Sequence, residues 1–187
     1  MRVTPIDIPG VLILEPAVLA DHRGIFAETY HEERYREIGI TEHFVQDNYS
    51  LSVRNTLRGL HFQHPNAQGK LVMALAGTVY DVVLDIRKDS PTFGRWYGMA
   101  LSGSTLQQLY IPPGCAHGFC VTSDTACFLY KCTAYYSPKD DRGILWNDPA
   151  LGISWPVTQP ILSPKDQNHR PLAAMGGELP SYNHSED

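Results

Sequence analysis

At 187 residues, with 43% hydrophobic and 19% charged side chains, the chain has the composition of one globular domain rather than of a disordered segment. A formal net charge of −5 argues against nucleic acid as the main partner, since duplex binding needs a basic face, but it leaves room for a small anionic ligand held by a few converging cations. No apolar run approaches the length of a membrane span, and Met1-Arg2-Val3 leads into no signal-peptide core, so no membrane contact and a cytoplasmic location are expected.

Short strands punctuated by Gly, Pro, Asn and Asp dominate the chain. Gly10-Val11-Leu12-Ile13-Leu14 reads as a strand. The one helical segment is His31-Glu32-Glu33-Arg34-Tyr35-Arg36-Glu37-Ile38, with Tyr35 and Ile38 three apart and Gly39 as its stop. Phe44-Val45 and then Lys70-Leu71-Val72-Met73-Ala74-Leu75 are extended, the latter ending at a Gly77-Thr78 turn. The clearest strand covers 79–87. Tyr80, Val82, Leu84 and Ile86 form an apolar face, while Asp81, Asp85 and Arg87 fall on the other with Val79 and Val83, so one polar face is expected. Further strands are expected over 95–101, 107–111, 118–122 and 126–134, with Pro112-Pro113-Gly114 and Ser137-Pro138-Lys139-Asp140 as turns.

This pattern predicts an all-β sandwich or jelly roll with one short helix near the N-terminus. A single domain over 1–175 is expected, with 176–187 as a loose polar tail. The four cysteines, Cys115, Cys120, Cys127 and Cys132, contain no C-x-x-C pair and read as free, packed thiols.

Polar groups concentrate in three stretches among the apolar strands. They are Gln46-Asp47-Asn48 with 57–64, Gln68-Gly69-Lys70, and 111–119 together with Phe128-Leu129-Tyr130-Lys131. A barrel interior carrying Arg, His, Lys and Tyr costs desolvation that a ligand would offset. His61, His64 and His117 raise the question of a metal. On a strand, however, residues three apart face opposite ways, and Pro65 marks His64 as a turn position, so no metal is expected. His61 is the candidate general base, and Lys70 opens an apolar strand from which it can reach inward. Arg23-Gly24 and Arg58-Gly59 suit a phosphate clamp.

Seven ordered blocks carry a family resemblance. They are Leu57-Arg58-Gly59-Leu60-His61-Phe62-Gln63, Gln68-Gly69-Lys70-Leu71-Val72, Ser90-Pro91-Thr92-Phe93-Gly94, Ile111-Pro112 with Ala116-His117-Gly118-Phe119, Leu129-Tyr130-Lys131, Trp146-Asn147-Asp148-Pro149, and Leu162-Ser163-Pro164-Lys165-Asp166. Over about residues 3–172 the chain resembles the dTDP-4-dehydrorhamnose 3,5-epimerases of the cupin superfamily.

That resemblance implies a cupin-like double-sheet jelly-roll barrel, working as a homodimer without metal or organic cofactor. The implied substrate is dTDP-4-dehydro-6-deoxy-D-glucose, inverted at carbons 3 and 5 to give dTDP-4-dehydro-L-rhamnose. His61 is the implied base, Asp166 the carboxylate that orients it, Tyr130 the acid on the opposite face and Lys70 the support for the enolate oxygen. Arg23, Glu28, Gln46, Asn48, Arg58, His117, Asp141 and Lys165 are implied contacts to sugar or diphosphate, and Tyr136 the platform for thymine. These roles suit the chemistry: an enolate oxygen needs a cation, and inversion needs removal of a proton on one face and delivery on the other. Met73, Tyr49, Asp141, Cys115 and Ser104-Thr105 depart from residues common in the family, and bear on whether both carbons are inverted. Two alternatives are a carbon-3 mono-epimerase and a non-catalytic sugar-nucleotide-binding barrel.

Overall fold

The computed structural model describes residues 1–182. In chain order these form β1 (Arg2–Pro5), β2 (Leu12–Glu15), β3 (Val18–Asp21), β4 (Gly24–Ala27), α1 (Glu32–Glu37), β5 (Gln46–Val53), β6 (Leu57–Gln63) and β7 (Lys70–Ala76). There follow β8 (Thr78–Asp85), β9 (Trp96–Ser102), β10 (Gln108–Ile111), β11 (Cys115–Val121), β12 (Thr125–Cys132), β13 (Asp141–Gly143) and α2 (Pro164–Gln167). One sheet has the order β1-β2-β10-β7-β12-β5 and the other β13-β6-β11-β8-β9, while β3 and β4 form a separate hairpin. Among the described residues, no helix is long and apolar enough to cross a membrane.

Both large sheets contribute alternate residues to one core between them. Val72, Ala74, Leu109, Ile111, Ala126 and Phe128 come from the six-stranded sheet, and Val79, Val83, Leu101, Phe119 and Val121 from the other. Side chains alternate across each strand, so the next inward-facing positions along β5, β6, β7, β11 and β12 also point between the sheets. Those positions are polar, and they make the site.

The expected polar face of β8 is corrected. Asp81 and Asp85 point inward with Val79 and Val83, and both carboxylates are fully buried. Burial pushes the Asp85 carboxyl up, but hydrogen bonds from Arg87, Ser90 and Thr92 outweigh it and hold it below the usual carboxylate range. The apolar face, with Val82, Leu84 and Ile86, is equally buried on the outside of its sheet. A strand buried on both faces needs a cover, and the C-terminal segment supplies it.

Leu172, Met175 and Leu179 pack onto that outer face, each burial of this kind contributing about 1.5–3 kcal/mol. Gly176–Glu178 forms a 3-10 turn, Ser181 bridges to Lys88, and the Arg87 guanidinium lies 4.8 Å from the Tyr182 ring centroid. Residues 176–182 of the expected loose tail are therefore seated on the fold, and 183–187 lie outside the described residues.

Two further expectations shift. The extended segment begins at Gln46, just after Phe44-Val45, and runs to Val53. A second helix, α2, joins the expected α1. Its single turn is started by Ser163, whose Oγ accepts from the Asp166 amide at 3.1 Å, with Pro164 in the first turn. All four cysteines are free thiols.

Candidate active site

Arg58 and His61 are three apart, so a regular strand would turn them to opposite faces. Here β6 carries one extra residue against β11: His117 stands opposite His61, but Phe119 stands opposite Arg58. This β-bulge resets the alternation, and both side chains line the same cavity. Gly59 sits in the bulge at φ +136°, where a Cβ would collide with the Gly118 backbone.

The cavity between the sheets has two chambers that share Asn48, His61, Lys70 and Tyr130. One, of about 130 Å³, adds Gln46, Gln63, Gln68, Tyr136 and Asp141. The other, of about 260 Å³, adds Arg58, His117 and Phe119. His61 stands on the five-stranded sheet, whereas Lys70 and Tyr130 stand on β7 and β12 of the six-stranded sheet. An imidazole thus faces a phenol and an ammonium across the interior.

His61 is backed by the buried Asp166, with Nε2 and Oδ1 2.5 Å apart. Burial would raise the Asp166 carboxyl, but the nearby His169 imidazole and the contacts with His61 and Ser163 prevail and hold it well below the usual carboxylate range. With Nε2 occupied by this carboxylate, Nδ1 is the ring nitrogen left to take a proton. Lys70 is only 6% exposed, with no carboxylate at ion-pair distance among the described residues. Burial pushes its ammonium pKa down, opposed more weakly by Cys132, Asp141 and Cys115. A buried cation without a counter-ion is costly, and a negative charge formed inside the cavity would offset that cost. Burial also pushes the Tyr130 phenol up, so it keeps its proton at neutral pH.

At the mouth, Tyr136 donates to Asp141 Oδ2 at 2.9 Å, and Lys165 makes a close ion pair with the same oxygen. The Tyr136 ring is 54% exposed, which leaves its face open for stacking. Gln46 accepts from the Tyr136 amide and donates to Asn48, tying the rim to β5. Arg58 reaches Ser52 Oγ at 3.2 Å.

Two expected site residues are not brought to the cavity. Arg23 sits at the β3–β4 turn and pairs with Asp21 at 2.6 Å, lining a hollow of the hairpin itself. Glu28 pairs with Arg34 at 2.5 Å. The fold of this chain alone leaves both outside.

The histidines expected to stay apart from one another as ligands are sorted by the fold. His64 follows the end of β6, and its amide donates to Asp140. His117 holds Asp81 at 2.8 Å. A different trio, His61, Asp166 and His169, brings possible ligand atoms within 4.8 Å of one another. The Nε2 of His61 and Oδ1 of Asp166 lie 2.5 Å apart, at the short end of a hydrogen bond. Ligand atoms around a tetrahedral zinc ion sit about 3.3 Å apart, so this pair would have to open to admit one.

Sequence reasoning missed Asp81 and His169. Asp81 carries no local sign of its partner, since His117 is 36 positions away. His169 follows Asp166 by three positions, a helical spacing that is the one hint of their contact.

Comparisons with known proteins agree with this geometry. The profile of the family described as dTDP-4-dehydrorhamnose 3,5-epimerase matches residues 5–174. The enzyme of that name from Salmonella typhimurium is 56% identical over 169 residues, covering 89% of this chain and 92% of that protein. A dTDP-6-deoxy-D-glucose-3,5-epimerase from Legionella pneumophila, solved in complex with dTDP-4-keto-L-rhamnose, superposes with a TM-score of 0.95 at 48% identity, covering 97% of this chain and 98% of that one. A dTDP-4-dehydrorhamnose 3-epimerase from Streptomyces niveus is 41% identical over 186 residues, covering 97% of this chain and 90% of that protein. With its cavity walls, its ordered motifs and these relatives in accord, the chain belongs to the dTDP-4-dehydrorhamnose 3,5-epimerase family.

Proposed function

We propose that the protein inverts carbons 3 and 5 of dTDP-4-dehydro-6-deoxy-D-glucose through enolate intermediates, giving dTDP-4-dehydro-L-rhamnose. The observation that carries this reading is the cavity itself: a carboxylate-backed imidazole on one sheet faces a protonated phenol and a buried ammonium on the other. His61 removes the proton beside the C4 ketone, Lys70 stabilises the oxyanion that forms, and Tyr130 returns a proton from the opposite face. Asp166 fixes the tautomer and orientation of His61. Each inversion is redox-neutral and Lys70 supplies the positive charge the enolate oxygen needs, so in this reading these side chains carry its steps without a metal or organic cofactor.

Gln46, Asn48, Arg58 and His117 contact sugar and diphosphate in this reading, and Tyr136 stacks on thymine with Asp141 and Lys165 beside it. The two sheets close around the substrate as a cupin-like jelly roll. Four free thiols suit the reducing cytoplasm, where nucleotide sugars are made.

Relatives named for inversion at both carbons and at carbon 3 alone match this chain over most of its length, so the test must read the two carbons separately. In deuterated water, NMR of the substrate should show deuterium entering at both carbon 3 and carbon 5, with inverted product. Wash-in confined to carbon 3 identifies a mono-epimerase. No wash-in at either carbon identifies a binding barrel.

The working unit in this reading is a homodimer. The polarity of β5 is inverted for an edge strand: Asn48, Ser50 and Ser52 face the interior, while Tyr49, Leu51 and Val53 are 60%, 62% and 55% exposed on the outside. The β3–β4 hairpin likewise exposes Leu19, Ile25 and Phe26. A symmetric partner would cover both, and would carry Arg23 and Glu28 toward the neighbouring cavity. Light scattering should give about twice the 20.9 kDa chain mass at micromolar concentration. A monomer mass across a broad concentration range would contradict the assembly and leave Arg23 without a role.

A further inference from the structure

The segment after α2 returns to the five-stranded sheet, where Ile144 bridges Arg170 and the Leu145 amide donates to the Arg170 carbonyl. This pins the preceding residue, His169, beside β13. Its ring lies over Gly143, where any Cβ would collide with the imidazole. Gly143 in turn stands opposite His61 in the strand register. The two imidazoles meet edge to face, with centroids 5.7 Å apart at 79°.

The His169 side chain is 8% exposed, and its Nε2 is buried with no ordinary hydrogen-bond partner. The nearest acceptor is Asp166 Oδ1 at 3.4 Å, the same oxygen that holds His61 at 2.5 Å. Asp166 Oδ2 is occupied by Ser163 Oγ at 2.8 Å. A bare lone pair on Nε2 would face a carboxylate oxygen and be repelled, whereas an N–H there is attracted. The proton of His169 therefore belongs on Nε2.

We propose that His169 is a positioning residue of the epimerase site: its Nε2–H points at the Asp166 carboxylate from behind and keeps that carboxylate aimed at His61. This rests on the reading of His61 as the base. The nearby His169 imidazole is also the largest of the influences that keep the Asp166 carboxyl below its usual range against the effect of burial. Without that donor, Oδ1 loses one of two partners and the carboxylate can turn within its pocket. The proton of His61 is then no longer fixed on Nε2, and the ring presents the wrong nitrogen for part of the time.

Two measurements test this. The first needs no substitution: 15N-histidine NMR on the whole protein reports which ring nitrogen carries the proton. Both His61 and His169 should be protonated at Nε2, and a His169 protonated only at Nδ1 would overturn the proposal. The second compares His169→Leu, which fills the space without a donor, with His169→Gln, whose amide N–H reaches the Nε2 position. His169→Leu should lower kcat for deuterium exchange about 10–100-fold, as loss of partners that orient metal-bound imidazoles does, with KM nearly unchanged. His169→Gln should recover to within about threefold of the unmodified enzyme. If the leucine variant is folded and exchanges at the full rate, or if the glutamine variant is as impaired as leucine, His169 only fills space and the proposal fails. An unaffected His61→Ala would instead remove the base reading on which it rests.

Discussion

His61→Ala is expected to lower both deuterium wash-in and product formation by about 10²–10⁴-fold, the range for loss of a positioned general base. The expectation follows from the walls of the cavity. His61 is the imidazole shared by both chambers and backed by a buried carboxylate. His117, across the β6–β11 ladder, is tied to Asp81 through its own Nε2 and lines only the inner chamber. Asp166 keeps Ser163 Oγ and His169 as partners in the variant, so the substitution should remove the base without collapsing the site. Exchange measured by NMR at carbons 3 and 5, with circular dichroism as the control for folding, checks this. A folded His61→Ala protein that exchanges at the unmodified rate would mean that another group is the base.

Tyr130→Phe is expected to separate exchange from inversion. The phenylalanine keeps the ring in its tilted packing beside Phe128, at 6.3 Å between centroids, and removes only the hydroxyl. Burial raises the Tyr130 pKa, so at neutral pH the native side chain is a proton donor. His61 on the facing sheet is untouched and can still form the enolate. The enolate is then reprotonated from the side it came from, which incorporates deuterium with the original configuration. Inversion at carbon 5 should therefore fall by about 10²-fold or more, while wash-in falls less. The readout is the ratio of washed-in deuterium to inverted product, measured without a trapping reductase. Normal inversion of carbon 5 in this variant would assign the proton on that face to a different donor.

The difference between the two variants reflects which sheet each residue occupies, and that placement was only partly legible in the chain. Alternation identified β8 as a strand, and turn residues bounded β7, β10 and β12 to within a few positions. Yet alternation has two faces and does not say whether the second meets water. Asp81 and Asp85 looked like a solvated face, but one serves His117 and the other a buried Arg87–Ser90–Thr92 network. On β5 the same ambiguity ran the other way, with the polar set facing the cavity and the apolar set facing out. A short helix such as α2 has no periodicity to detect, and only the structure shows Ser163 capping it with Pro164 in its first turn.

The sequence by itself determined an all-β chain with one N-terminal helix, set out the polar stretches around His61, Lys70 and Tyr130, and through its ordered motifs pointed to the family. Those features are local, set by side-chain alternation, turn chemistry and short motifs. The tertiary structure decided what depends on contacts between distant segments. It put His61 and Tyr130 on opposite walls and used a bulge at Gly59 to bring Arg58 onto the same side as His61. It set Asp166 and His169 behind His61, 105 and 108 positions along the chain from it. It also kept Arg23 and Glu28 away from the cavity of their own chain, each paired with a neighbour only a few positions away. Register, bulges and the packing of one sheet on another fix such relations, because a one-residue change in pairing turns a side chain from one face to the other and no local pattern records it.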